Sequence, residues 1–314
     1  MRLKKRTNLT GIKKIGNLVL PGFDGLQLSH VLTFVVRGFR KGVLVTRASS
    51  IAFNMLMALL PASIFLFTLI PFIPIPDFQA ELMRLFENIL PSNVFMFLET
   101  SIRDIVTRKS GGLLFVMFGA TVLFSTNGIH AVIHAFVVSA HSFKARSWVN
   151  QRKISIVLLL IIVMMIAMAG FMVIFGKMTV IWLVRMNILR SSLLMYILIF
   201  LKWVLIGLLL FFAISSLYYL APAKRTYFKF FSPGSTLATI LFITTSLGFS
   251  AYVNHFGQYN KLYGSIGTLM VVLVWLYLNS IAILIGFELN LSIIDARAED
   301  ALWLNLPIRN EETA

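Results

Sequence analysis

Six long apolar stretches make up most of this chain, and a formal charge occurs in one of them alone. They run from Ala48 to Pro76, Gly111 to Ala140, Ile154 to Gly176, Ser191 to Ala223, Ser232 to Asn254 and Leu262 to Phe287. Each can cross about 30 Å of hydrocarbon, which takes about 20 helical residues. Lipid offers the backbone no water, so N–H and C=O groups must pair within the segment, and such runs fold as helices. The sequence therefore predicts an all-α integral membrane protein with six transmembrane helices.

Only 13% of the residues are charged, against about a quarter in a soluble domain. The spans and their loops use most of the 314 residues, which leaves little room for a water-soluble catalytic domain. There are no cysteines, so disulfides, thiolate nucleophiles and Cys-bearing zinc sites are excluded. The basic start, Met1 to Arg6, is followed by no apolar core before Ala48, so no cleavable signal peptide is expected.

Charge placement sets the expected topology. Residues 1–47 carry ten Lys or Arg against the single acid Asp24. The loops after spans two and four add Lys144, Arg146, Arg152 and Lys153, then Lys224, Arg225 and Lys229, with no acids. Arg297 and Arg309 in the tail bring this side to 19 basic residues, against 8 on the other. Lys and Arg are retained on the cytoplasmic side, so both termini are expected there. The net charge of +16 is then no signal for nucleic acid. The basic residues border the membrane, where each gains about 1 kcal/mol of attraction to anionic lipid. The expected partners are the bilayer, anionic lipids at the cytoplasmic face and an unidentified small solute or lipid.

Three parts follow: a basic N-terminus over 1–47, a transmembrane domain over 48–290, and an acidic cytoplasmic tail over 291–314. In residues 28–47 the apolar positions Leu28, Leu32, Val35, Val36, Phe39, Val43 and Leu44 recur at three- and four-residue spacings. Arg37, Arg40, Lys41 and Arg47 fall on the remaining faces, which predicts an amphipathic helix lying in the interface. The external loop, about 77–110, shows helical spacing broken at Pro91.

Few residues stand out chemically. Lys202 is the one formal charge inside a span. Such a residue marks a pathway by default, or it snorkels if span four begins near Tyr196, with Trp203 as its interfacial neighbour. Asn127, His130 and His134 share one helix face and form a possible pH-responsive surface, or a polar helix end meeting water. No third ligand stands near the histidines in sequence, so no metal site and no cofactor is expected. Pro61 removes a backbone hydrogen bond and is expected to kink or break the first span, which Pro71, Pro74 and Pro76 then end. Gly264 and Gly267 permit close helix contact. Glu288 follows the last apolar run, where it either pairs with a basic residue such as Arg225 or faces a cavity.

Several motifs resemble the YihY/BrkB family of bacterial inner-membrane proteins, which carries an older label of ribonuclease BN. The segment Ile51-Ala52-Phe53 to Leu59-Leu60-Pro61 is similar to the opening of its first span. Tyr219 to Pro222, then Pro233-Gly234, resembles its fourth-to-fifth connection. The most specific match is Tyr263-Gly264, then Trp275-Leu276-Tyr277, then Gly286-Phe287-Glu288. Phe287 stands where the pattern has a small residue, and His130 and His134 where it is more basic. The resemblance implies a six-helix membrane fold and a loose link with transport and stress survival, without a settled substrate.

A transporter or exporter of a small solute or lipid-related substrate is thus expected, with Pro61, Lys202, Tyr263, Gly264 and Glu288 lining its path. The alternative is a structural or regulatory membrane protein that binds other membrane components. An enzyme is not expected: metal-dependent phosphodiester cleavage needs clustered acids or histidines, and here they are scattered.

Overall fold

A computed structural model describes residues 43–73, 109–139, 147–185, 192–222, 229–255 and 259–303. Every regular element among them is helical. The six long helices are α1 (Val43–Leu69), α2 (Gly111–Ser139), α3 (Trp148–Arg185), α4 (Ser192–Leu220), α5 (Pro233–His255) and α6 (Tyr259–Trp303). All six are long and apolar enough to cross a membrane, as the hydropathy pattern requires. The amphipathic segment before Val43 and the external loop helices lie outside the described residues.

Two boundaries differ from expectation. Helix α1 runs unbroken through Pro61 and ends in a single 3-10 turn, Ile70–Phe72, at Pro71. A proline takes one hydrogen bond from a helix, and a spanning segment absorbs that loss because no solvent competes for its other bonds. Helix α6 continues past Asn290 to Trp303, and its apolar window extends to Ala296. Glu288 therefore lies within the helix, because Leu289, Leu291, Ile293 and Ala296 keep burying side chains beyond it.

The chain divides into two compact units. The smaller, Phe53–Ile129, holds the later part of α1 and the earlier part of α2. Within it Phe65 and Phe118 approach to 5.6 Å between ring centroids. Gly128 brings α2 against the α1 backbone, where a Cβ would rest 3.6 Å from the Asn54 carbonyl oxygen.

The larger unit, Met1–Ala52 with His130–Ala314, contains the four remaining helices and the adjoining ends of α1 and α2. Here α6 packs along α5, α5 against α4, and α4 against α3. Helix α6 is the core element: 39% of its apolar window is buried, against 6% for those of α3 and α4. Leu160, Met164, Ile166, Phe171, Phe200 and Leu201 leave α3 and α4 broadly apolar on the outside, the surface expected of helices bathed in lipid.

Small residues set the α5–α6 spacing. A Cβ on Gly286 would overlap the Gly234 carbonyl oxygen and fall 2.6 Å from both Ala238 Cβ and the Tyr218 hydroxyl. A Cβ on Gly234 would overlap the Gly286 carbonyl oxygen in return. Lipid supplies no hydrophobic drive between helices, so such close backbone packing is what joins them. Gly286→Ala is expected to destabilise the protein by about 1–3 kcal/mol, measured by unfolding in detergent. Gly170→Ala on α3, where no atom lies within 4 Å, is the matched substitution expected to change little.

Candidate functional site

From Gly286 to Ile293 every residue of α6 is buried, including Glu288, Asn290 and Ser292. A helix enclosed on all sides must satisfy each polar side chain it carries. Ser292 Oγ donates to the Glu288 carbonyl at 2.7 Å within α6, while Glu288 and Asn290 reach different helices.

Glu288 reaches α1 and α2. Its Oε1 accepts a hydrogen bond and ion pair from Arg47 Nη2 at 2.9 Å, and Arg47 Nη1 donates to the Ala135 carbonyl at 3.1 Å. The side chains are only 10% and 7% exposed. Arg47 belongs to the buried face of α1, since Leu44, Arg47, Ala48 and Ile51 follow the i, i+3, i+4, i+7 spacing of one face. That register places Arg47 inside the bundle, where the sequence reading had it on the polar face of an interfacial helix. Ala135 lies four residues from the C-terminal end of α2, where the helix dipole also favours a cation. Removing two charges from water costs several kcal/mol each, so the pair persists only because geometry and additional hydrogen bonds compensate. Arg225, the partner suggested by the sequence, lies outside the described residues.

Asn290 reaches α5. Its Oδ1 accepts from the Gly234 N–H at 2.8 Å and its Nδ2 donates to Ser232 Oγ at 2.9 Å. Ser232 is the N-cap of α5, with Pro233 in the first position and Gly234 in the second. Ser235 and Ser232 complete a reciprocal capping box, each backbone N–H donating to the other's hydroxyl at 3.2 Å. The donors at the start of α5 are thus taken from within the chain.

Phe287, directly ahead of Glu288, reaches α2 and α4. It stacks on Phe136 at 4.0 Å and 7°, and Tyr218 meets both rings edge-on. The Tyr218 hydroxyl donates to the Ile283 carbonyl on α6. The three rings form an aromatic sandwich that joins α6 to α2 and α4. Farther along the α5–α6 seam Trp275 Nε1 donates to Ser246 Oγ at 3.2 Å, and Asn279 Nδ2 to the Trp275 carbonyl at 2.9 Å.

The other candidates are placed apart. Lys202 sits six residues, about 9 Å, inside the apolar window that begins at Tyr196. A Cβ on Gly176 of α3 would lie 3.0 Å from its Cδ, so the glycine makes room for the lysine stem. The ammonium lies 5.0 Å from the Trp203 ring centroid. Lys202 is sixteen residues from Tyr218, about 24 Å along α4, and Tyr218 contacts α6 near Glu288. The structure does not bring Lys202 and Glu288 together. Tyr263 and Gly264 are helical backbone in the first turns of α6, and Pro61 belongs to the smaller unit. His130 Nε2 donates to Gln151 Oε1 at 2.9 Å, joining α2 to the start of α3, while His134 is exposed. Asn127 lies in the smaller unit. Among the described residues no three His, Cys, Asp or Glu are grouped to hold a metal ion.

The sequence reading missed Arg47, Asn290 and Tyr218 as site residues. A signal existed for two: Arg47 shares the apolar register of α1, and Ser232-Pro233-Gly234 reads as a helix start whose buried donors need an acceptor.

The sequence profile of the family described as Virulence factor BrkB matches residues 35–303. The ribonuclease-like protein YfkH of Bacillus subtilis is 29% identical over 245 residues, which cover 78% of this chain and 88% of YfkH. A UPF0761 membrane protein of Pseudoalteromonas translucida is 39% identical over 90 residues, covering 29% of this chain and 30% of that protein. One from Vibrio campbellii is 36% identical over 92 residues, covering 29% of each. No solved structure matches the chain.

Asn290→Leu leaves the Gly234 N–H buried without its acceptor and is expected to lower stability by about 1–3 kcal/mol. Phe287→Ala empties the sandwich and is expected to remove about 3 kcal/mol or more. Reversible unfolding in mixed micelles measures both losses.

Proposed function

The chain belongs to the BrkB family of polytopic membrane proteins, and on that premise we propose that it transports or exports a small solute or lipid-related substrate across the bacterial inner membrane. The observation that carries this reading is the Arg47–Glu288 pair, enclosed among apolar helices. Ionisable groups within a membrane bundle are expensive and mark substrate or ion pathways. In this reading the pair is a closed gate. It ties the start of α1 and the end of α2 to α6, and separating its charges frees those ends to move. Glu288 then receives the transported cation or a proton. Lys202 holds an anionic group toward the opposite end, and the His130–His134 face senses pH.

Both termini lie in the cytoplasm in this reading, supported by the 19-to-8 division of basic residues and the even number of spans. An enzymatic role is no part of this reading, which takes the Arg47–Glu288 pair as a gate. A structural or regulatory protein that binds other membrane components is the second reading. The closed hydrogen bonding around Asn290 favours it, since such a crossing stiffens a bundle.

Flux of a solute panel across proteoliposomes separates the two. Transport is expected in the native chain, lowered at least about tenfold by Glu288→Gln, the equivalent of 1.4 kcal/mol in the barrier. No flux of any ion, osmolyte or lipid in the native chain would favour the structural reading. Because the chain has no cysteine, single cysteines report sidedness directly. Trp148→Cys, at the exposed start of α3, is expected to react with an impermeant thiol reagent from the cytoplasmic side. Lys109→Cys, before α2, is expected to react from the outside alone.

A further inference from the structure

Lys202 stands where a water-borne anion would not meet it. Its neighbours along α4, Ile199, Phe200, Leu201, Trp203, Val204 and Leu205, are all exposed, in an apolar window of which only 6% is buried. Side chains exposed in this way on a spanning helix face acyl chains. The lysine itself is half-buried in the seam where α4 packs on α3.

The seam is shaped for its stem. Gly176 of α3 faces the lysine, and a Cβ there would come within 3.0 Å of Lys202 Cδ and 3.7 Å of its Cγ. A side chain at 176 would therefore push the stem outward. The ammonium rests 5.0 Å from the centroid of the Trp203 ring. A ring face attracts the charge but offers no lone pair to the three N–H donors. Among the described residues no carboxylate pairs with Lys202. A cation set in hydrocarbon without an acid is costly, so an anion is drawn to it.

Depth and surroundings decide which anion. From Lys202 to Leu220, the last residue of α4, is eighteen residues, about 27 Å along the helix. That is close to the hydrocarbon thickness of about 30 Å. The ammonium is thus within a stem's length of one headgroup layer, on the side away from the Arg47–Glu288 pair, and a long basic side chain reaches that layer. From the lipid side, the anion available there is the phosphate of a phospholipid. A choline cation would oppose the lysine, so a lipid of net negative charge gains more.

We propose that Lys202, Gly176 and the Trp203 ring form a site for the phosphate of an anionic phospholipid, entered from the hydrocarbon along the α3–α4 seam. The inference rests on the transport reading in taking Lys202 as the holder of an anionic group, and adds that a lipid carries this group. Photocrosslinking of the whole protein in phosphatidylcholine nanodiscs tests it. The probes are phosphatidylglycerol and phosphatidylcholine with the same diazirine near the head of one acyl chain, and mass spectrometry locates the labelled residues. Label within a turn of Lys202 or Gly176 is normalised to label at Leu269 and Met270, exposed residues at the start of the apolar window of α6. The phosphatidylglycerol probe is expected to label the seam about fivefold more than the phosphatidylcholine probe, the ratio given by one cation near a membrane surface.

Lys202→Met is expected to bring that ratio close to one. Gly176→Leu, which keeps the charge and displaces the stem, is expected to lower it clearly. Inorganic phosphate at matched ionic strength is expected to leave it unchanged, since the site opens to lipid. Melting in phosphatidylcholine micelles verifies that each variant is folded. Equal labelling of the native seam by the two probes overturns the proposal, as does an excess that survives Lys202→Met or Gly176→Leu, or competition by inorganic phosphate. The readout needs no flux. Solute flux without preferential labelling of the seam sinks this inference alone, and preferential labelling without flux sinks the transport reading alone.

Discussion

The structure depends on the close crossing of α5 and α6 at Gly234 and Gly286. Neither position can carry a Cβ without overlapping the other's carbonyl oxygen. With the two backbones this near, α6 is enclosed from Gly286 to Ile293. Enclosure then dictates what its side chains do. Asn290 must answer the orphan donors at the start of α5, Phe287 must find flat apolar partners in Phe136 and Tyr218, and Glu288 must find a cation. In a bilayer no hydrophobic force draws helices together, so contact and hydrogen bonding carry the association.

These contacts share one end of the larger unit. Helices α1, α3 and α5 begin there, and α2 and α4 finish there. Arg47, Ala135, the His130–Gln151 bond, Tyr218 and Ser232 all occupy these helix ends. The arrangement is economical physically, because helix ends bring unpaired backbone groups that polar side chains can satisfy. The opposite stretches of α3 and α4 are apolar and exposed, with the Lys202 stem resting at Gly176.

Much of the fold was legible in the sequence because the bilayer imposes a coarse rule. A run of about 20 apolar residues has few alternatives to a spanning helix, and all six runs are helices. The ends were less legible. Glu288 marked the apparent close of the last span, yet the following leucines and isoleucine continue the buried helix to Ala296. Pro61 pointed to a kink or a break, and α1 is helical on both sides of it because a single missing bond does not outweigh the rest. The site was visible only in part. Glu288 stood out as an acid beside an apolar run, whereas its partner Arg47 is 241 residues away. No local pattern announces a contact at that separation. Arg47 also follows a basic segment that suggested an interfacial helix, and its place on the buried face emerges only from the register with Leu44, Ala48 and Ile51. Asn290 and Tyr218 gave still less signal, since their roles are fixed by the depth of the α5–α6 crossing.

The account stands most directly on the coupling between Arg47 and Glu288. A double-mutant cycle with Arg47→Gln, Glu288→Gln and the pair together, followed by unfolding in a defined micelle, measures it. Each single variant takes the opposite charge away from a buried ionic group and is expected to lose about 3 kcal/mol or more. The double variant removes both charges and is expected to lose less than the sum by about 1.5–3 kcal/mol. Additive losses, with no coupling between the two positions, would contradict the pair's role in joining α1 and α2 to α6.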